Sequence, residues 1–261
     1  MKTWARYAVP ALVFAAALAF WEWRVHALGI SPLVLATPSE IWAAFFEHAD
    51  ILLPALLFTV KITAAAFVLA TVAGVGLAVL FSQSRLIEYA LYPFAVVLQV
   101  TPVVAIAPLL LIWIGYDNVS EVLVVLAWII AFFTVLSNTI TGLRSADHNL
   151  IDLMKLYGAS RWQVLWRLQL PGALPYILTG MKISGGLALI GAVTAEFVAG
   201  SGTDLGLGWV ITLANRNLDT AQEFAALALL SILGIAILFA MTALEWALLH
   251  RWHESAVKRE G

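Results

Sequence analysis

Cysteine is absent from this 261-residue chain, and charge is scarce. Without cysteine there is no disulfide framework, no iron–sulfur ligation and no thiolate zinc site. Only 30 residues are charged, 14 basic and 16 acidic, which is 11% of the chain. A soluble domain carries about 25% charged residues. The net charge of −2 offers no basic surface for nucleic acid. No G-x-x-x-x-G-K-[ST] phosphate loop, no H-E-x-x-H and no G-x-S-x-G occurs, so the chain lacks a nucleotide-hydrolysis motif and a recognisable hydrolytic motif. What is abundant is apolar surface: 62% hydrophobic residues and a mean hydropathy of +0.95. No soluble fold of this length buries that much, and the remaining class is an all-α, polytopic membrane protein.

A helix crossing a hydrocarbon core of about 30 Å needs roughly 20 apolar residues. Six segments meet this demand: Tyr7–Trp23, Ala55–Phe81, Leu91–Ile114, Val122–Leu143, Pro175–Val198 and Phe224–Leu249. The third contains Pro93, Pro102 and Pro108. The first, preceded by Lys2 and Arg6, has Ala17-Leu18-Ala19 in the manner of a signal-peptidase site. Its apolar run continues through Phe20 and Trp21, which favours a span, and Trp21 and Trp23 form an interfacial anchor. With the N-terminus in the cytoplasm, ten of the fourteen basic residues fall inside: Lys2, Arg6, Arg85, Arg144, Lys155, Arg161, Arg167, Arg251, Lys258 and Arg259. Arg24 and Arg216 fall outside, and Lys61 and Lys182 lie within spans, near enough to their ends to snorkel. This bias predicts that both termini are cytoplasmic.

Small residues recur at helical spacing in the second span (Ala66, Ala70, Gly74, Ala78) and the fifth (Gly180, Ser184, Ala188, Ala192). Such ladders let backbones approach closely, either within one chain or between subunits. Few polar groups lie in the spans. Glu196, near the outer end of the fifth, has two readings: a group lining the pathway or its outer gate, or a structural acceptor for the Gly200–Gly208 segment. Asn138 and Gln99 are candidates for interhelical hydrogen bonds and, with Glu196, for the pathway. Glu245 either snorkels or pairs with a basic residue such as Arg251. His250 and His253 stand three apart without a third ligand, so no metal site is expected.

The stretch from Arg144 to Pro171, between spans four and five, is too patterned for a connector. Asp147 can cap a first helix whose apolar positions are Leu150, Leu153, Met154 and Tyr157. Gly158 supplies a stop. Ser160 and Gln163 form a capping box for a second helix bearing Trp162, Leu165, Trp166 and Leu168, and Pro171 and Pro175 mark entry to the next span. An apolar face on such a helix either lies on the membrane or docks in a groove of another protein. Lys155 is its sole basic residue, which favours docking.

These residues carry a family resemblance. Asp152-Leu153-Met154-x-x-x-Gly158, nine residues, then Leu168-x-Leu170-Pro171, resembles the E-A-A … G … I-x-L-P motif of binding-protein-dependent ABC importer permeases. Both spacings match, as do the Gly and the Leu-Pro pair, while Asp152, Leu153, Met154 and Leu168 replace Glu, the two alanines and Ile. Three further segments resemble the nitrate/sulfonate/taurine-type branch: Leu35-Ala36-Thr37-Pro38-Ser39-Glu40; Val100-Thr101-Pro102 through Gly115; and Ala195-Glu196 followed by Gly206-Leu207-Gly208. Thr37 and Glu40 can also form a capping box.

The resemblance implies a single transmembrane domain over residues 1–261, with a coupling segment at about 144–171. It implies a homodimer in a bacterial inner membrane, with a pathway between subunits for a small polar or anionic solute. It also implies two ATP-binding partner subunits that hold ATP and Mg and an extracytoplasmic binding protein, with no cofactor in this chain. The ATPase-docking residues it implies are Asp152, Leu153, Met154, Tyr157, Gly158, Ala159, Leu170 and Pro171. Outer acidic residues Glu40, Glu47, Asp50, Asp117, Asp204 and Asp219 are available to the binding protein. The competing class is a self-sufficient carrier or channel, which predicts inverted repeats or midplane charges. No clear inverted repeat is visible.

Overall fold

A computed structural model describes residues 5–199 and 206–250. Lys2, Gly200, Asp204, Arg251, His253, Lys258 and Arg259 lie outside them. Among the described residues the chain is helical, with no strand. Its helices are α1 (Ala5–Leu28), α2 (Pro38–Glu47), α3 (Ala49–Gln83), α4 (Arg85–Val100), α5 (Val103–Ile114), α6 (Val119–Arg144), α7 (His148–Leu156), α8 (Arg161–Val164), α9 (Leu170–Ala199), α10 (Leu207–Arg216) and α11 (Thr220–Leu249). Five helical runs among the described residues are long and apolar enough to cross a bilayer; α4 and α5 together supply a sixth.

The centre is α6, clasped by α3 and α9. Lipid supplies no hydrophobic drive between helices, so contact depends on close approach and small residues. A Cβ on Gly74 would meet the Val135 Cβ at 2.9 Å, and one on Gly180 the Asn138 Cβ at 2.8 Å. The Ser184 hydroxyl donates to the Ala131 carbonyl at 3.1 Å. Both small-residue ladders therefore pack on α6 of the same chain, the within-chain alternative of the two readings. A second, smaller core caps one end of the bundle, where Leu52 and Ala55 of α3 meet Leu207, Val210 and Ile211 of α10 and Ala225 of α11. The helix α1 stands apart and is held by the Trp21–Phe224 ring contact and by Glu22, which accepts from the Ser39 hydroxyl at 2.6 Å.

Two expectations about span boundaries are corrected. The third span is not one rod: α4 and α5 meet at 105°. Pro102 cannot donate a backbone hydrogen bond and pushes the preceding residue out of the helical region, and Thr101 sits extended at φ −72°, ψ 127°. The Thr101 hydroxyl instead caps the broken end by donating to the Val97 carbonyl at 2.6 Å. The second helix of the Arg144–Pro171 segment is not separate from the fifth span either. Residues Arg161–Ala199 form one continuous 39-residue helical run. A π turn over Leu165–Gln169, in which the Leu170 N–H reaches the Leu165 carbonyl, widens the helix ahead of Pro171. The wider turn accommodates a residue without an N–H, so proline does not end the helix here.

Candidate functional site: an elbow and a buried carboxylate

The elbow is built from local signals. Asp147 caps α7 by accepting from the Asn149 N–H at 2.8 Å. At its other end Gly158 takes φ +74°, and the Gly158 and Ala159 N–H groups bond the Lys155 and Met154 carbonyls at 2.9 and 3.0 Å. That is a Schellman stop, and the left-handed residue it requires is glycine. Two residues later Ser160 and Gln163 close a capping box that starts the long helix. The turn presents apolar side chains to solvent: Leu156 and Tyr157 are 85% and 84% exposed, and Leu150 and Leu153 about half so. Between α7 and α8 lies a groove of about 300 Å³, lined by Leu153, Met154, Tyr157, Gly158, Ala159 and the side chains of Gln163 and Arg167.

Five of the expected docking residues, Leu153, Met154, Tyr157, Gly158 and Ala159, therefore share one groove. Asp152 does not face it unpaired, because its carboxylate holds Lys155 one turn along at 2.9 Å. Leu170 packs against the bundle core, whereas Pro171 is exposed. Gln163 and Arg167 were not singled out as groove residues by the sequence. Their mutual spacing of four, on the helical run that follows the Ser160 cap, is the signal that could have found them.

At the far end of the same long helix, Glu196 is 1% exposed. Its carboxylate accepts from the Thr59 hydroxyl of α3 at 2.8 Å and from the Gly208 N–H at 2.7 Å. Thr59 in turn accepts from the Leu207 N–H at 2.9 Å. Glu196 and Thr59 together satisfy two of the unpaired donors at the start of α10. The fit admits only glycine beside it: a Cβ on Gly206 would overlap the Glu196 carboxylate, and one on Gly208 would stand 2.9 Å from Oε2. Thr59 was missed. Its signal is register, since it continues the buried stripe Ala66, Ala70, Gly74 of α3 two turns outward.

The three polar pathway candidates do not converge. Asn138 makes no interhelical bond; its amide donates to the Thr134 carbonyl of its own helix at 2.8 Å. It packs beside Gly180, sixteen residues and so about 24 Å along α9 from Glu196. Gln99 is exposed on α4. Lys182 does not snorkel alone, and Glu245 does not need Arg251: the two pair with each other at 3.1 Å, joining α9 to α11. Lys61 is exposed on α3. Two of the carboxylates expected on the outer face are already engaged. Glu40 closes the Thr37 capping box, and Asp219 caps α11 and lies 3.4 Å from His48. Glu47, Asp50 and Asp117 are exposed. Among the described residues no cluster of three metal-ligating side chains occurs.

A profile of the binding-protein-dependent transport system inner membrane component matches residues 70–252, more than half of the chain. The chain belongs to that family. It is 34% identical to the riboflavin transport system permease protein RibX of Chloroflexus aurantiacus, over 91% of this chain and 87% of that one. It is also 34% identical to the formylaminopyrimidine transport permease protein ThiX of Halalkalibacterium halodurans (92% and 94% covered) and 30% identical to the taurine transport system permease protein TauC of Escherichia coli (92% and 87%). The nitrate/sulfonate/taurine-type branch is thus the right one. The fold matches a chain of the MetNI methionine ABC transporter, with a TM-score of 0.64 at 18% identity, over 77% of this chain and 97% of that one. The protein is a multi-pass membrane protein, the permease component of an ABC importer.

Proposed function

We propose that the chain, as one transmembrane domain over residues 1–261 with its coupling segment at about 144–171, forms the solute pathway of the importer as a homodimer. It sits in a bacterial inner membrane with both termini cytoplasmic. Two ATP-binding subunits dock at the elbows, supply the ATP and Mg chemistry, and leave this chain without an ATPase site or cofactor of its own. An extracytoplasmic binding protein delivers the solute, a small polar or anionic molecule of the kind named for the taurine and formylaminopyrimidine relatives.

The observation that carries this reading is mechanical. The groove around Gly158 is built in part by Gln163 and Arg167 of the helical run Arg161–Ala199, whose other end holds Glu196. A rigid helix transmits a push along its axis, so docking and release at Leu153, Met154 and Tyr157 would rock the whole of α9. Glu196 would then act at the outer end of the pathway as a brace, holding the start of α10 against α3 until α9 moves. Asn138 and Gln99 are secondary candidates for the pathway wall.

The test is reconstitution with the partner ATP-binding subunit. Gly158→Val imposes a β-branched residue on a left-handed backbone, costing about 1–2 kcal/mol locally. The variant should reach the membrane at normal levels yet fail to co-purify with the ATP-binding subunit or stimulate its ATPase. Undiminished stimulation would refute docking at the elbow. Transport by vesicles holding this chain alone would refute dependence on a partner ATPase.

A further inference from the structure

The helices α3, α4 and α6 end together beside the first turn of α7, around a cavity of about 590 Å³. It is distinct from the elbow groove. It takes His148 and Ile151 from α7, whereas the groove takes Leu153, Met154 and Tyr157 from the opposite side of that helix. Its volume falls within the roughly 300–1,000 Å³ of small-ligand sites. Its lining includes Arg85, Arg144 and His148 together with the apolar Phe81 and Leu143.

The charges in it do not cancel. Glu88 is the carboxylate among the lining residues, and it is bonded to Arg144. None of the ion pairs among the described residues uses Arg85, which opens α4 directly after the Ser84 cap. The cavity thus presents one compensated guanidinium, held in orientation by its carboxylate, and a second without a counter-charge. A guanidinium offers parallel N–H donors in a planar fork that matches two oxygens of a tetrahedral oxyanion. The cavity also lies where the long apolar helices α3 and α6 end and α4 begins, and basic pockets at the ends of spans suit anionic headgroups.

We infer that this cavity binds a phosphate-type oxyanion between Arg85 and Arg144. The same chemistry has two sources: the headgroup of an anionic phospholipid, whose glycerol and first methylenes would lie on Phe81 and Leu143, or a free anion from the aqueous side. Either occupant touches α3, α4, α6 and α7 at once and so ties the docking helix to the spans.

The experiment uses the permease assembled with its ATP-binding subunits in phosphatidylcholine nanodiscs, with unfolding temperature as the readout at matched ionic strength. One arm adds inorganic phosphate; the other replaces part of the lipid with phosphatidylglycerol. At ten times the dissociation constant, mass action corresponds to a rise of roughly 3–5 °C. Arg85→Gln should abolish that rise, while Arg24→Gln, on a different helix well outside the cavity, should keep it. A rise with inorganic phosphate assigns a free anion; a rise with phosphatidylglycerol alone assigns a headgroup. No rise in either arm, or an equal rise in Arg85→Gln, overturns the inference. The readout does not depend on transport, so failure of the docking reading would leave it standing.

Discussion

Replacing Glu196 separates bracing from simple polarity, because alanine and glutamine predict different losses. In Glu196→Ala, the Thr59 hydroxyl and the Gly208 N–H lose their common acceptor in a site that is 1% exposed. A buried donor left unsatisfied costs about 1–3 kcal/mol, so the pair costs about 2–6 kcal/mol. The competing magnitude is that of ordinary side-chain bonds between spans, about 0.6 kcal/mol each, because an unfolded span finds other partners in the membrane. Two such bonds would total only about 1 kcal/mol. The larger figure applies here because the Gly208 N–H opens a helix and has no carbonyl four residues back within α10 to reach.

Glu196→Gln keeps the count of bonds. The amide oxygen has two lone pairs and can accept from both the Gly208 N–H and the Thr59 hydroxyl, which still accepts from Leu207. Its loss should stay near 1 kcal/mol, the gap between a charge-assisted and a neutral bond. At roughly 2–4 °C per kcal/mol for chains of this size, alanine should lower the unfolding temperature by about 10 °C and glutamine by about 3 °C. Thermal unfolding in detergent, read by loss of the monodisperse chromatographic peak, measures both. Equal shifts for the two variants, or a shift below about 2 °C for alanine, would refute the brace.

Glycine positions along α9 should differ sharply. Gly191→Ala drives a Cβ to 2.8 Å from the Ala127 Cα, backbone that cannot yield, and should cost about 1–3 kcal/mol; Gly186→Ala meets nothing within 4 Å and should be neutral or slightly stabilising, as the same unfolding assay will check. Lys182 and Glu245, both about one-third exposed, should show a coupling of up to about 1 kcal/mol in a double-mutant cycle with methionine at each position. Strict additivity in that cycle would mean the pair contributes nothing to the α9–α11 contact.

The elbow was legible because every signal for it is local. Asp147, Gly158, Ser160 and Gln163 each act on backbone within three residues of themselves, and all four do what their spacing predicts. Pro171 misled for the opposite reason. Read alone it breaks a helix, and only the π turn ahead of it, which starts at the buried Leu165, lets the helix continue. The bend at Pro102 was equally hidden, since Pro93 and Pro108 sit inside helices while Pro102 ends one. A single residue type does not say which of three prolines will break a span.

By itself the sequence determined that this chain lives in lipid, which of its segments are long and apolar enough to cross, and where an apolar elbow stands between two caps. Those follow from composition and from forces that act over one or two helical turns. Tertiary structure alone decided what the buried polar groups do. Thr59 is 137 positions from Glu196, and Glu245 is 63 from Lys182. A carboxylate inside a span needs partners, but no local rule names them. Only packing of α3, α9 and α10 at glycine-close distances brings the hydroxyl and the N–H to the carboxylate, and so turns a solitary charge into the joint at the end of the long helix.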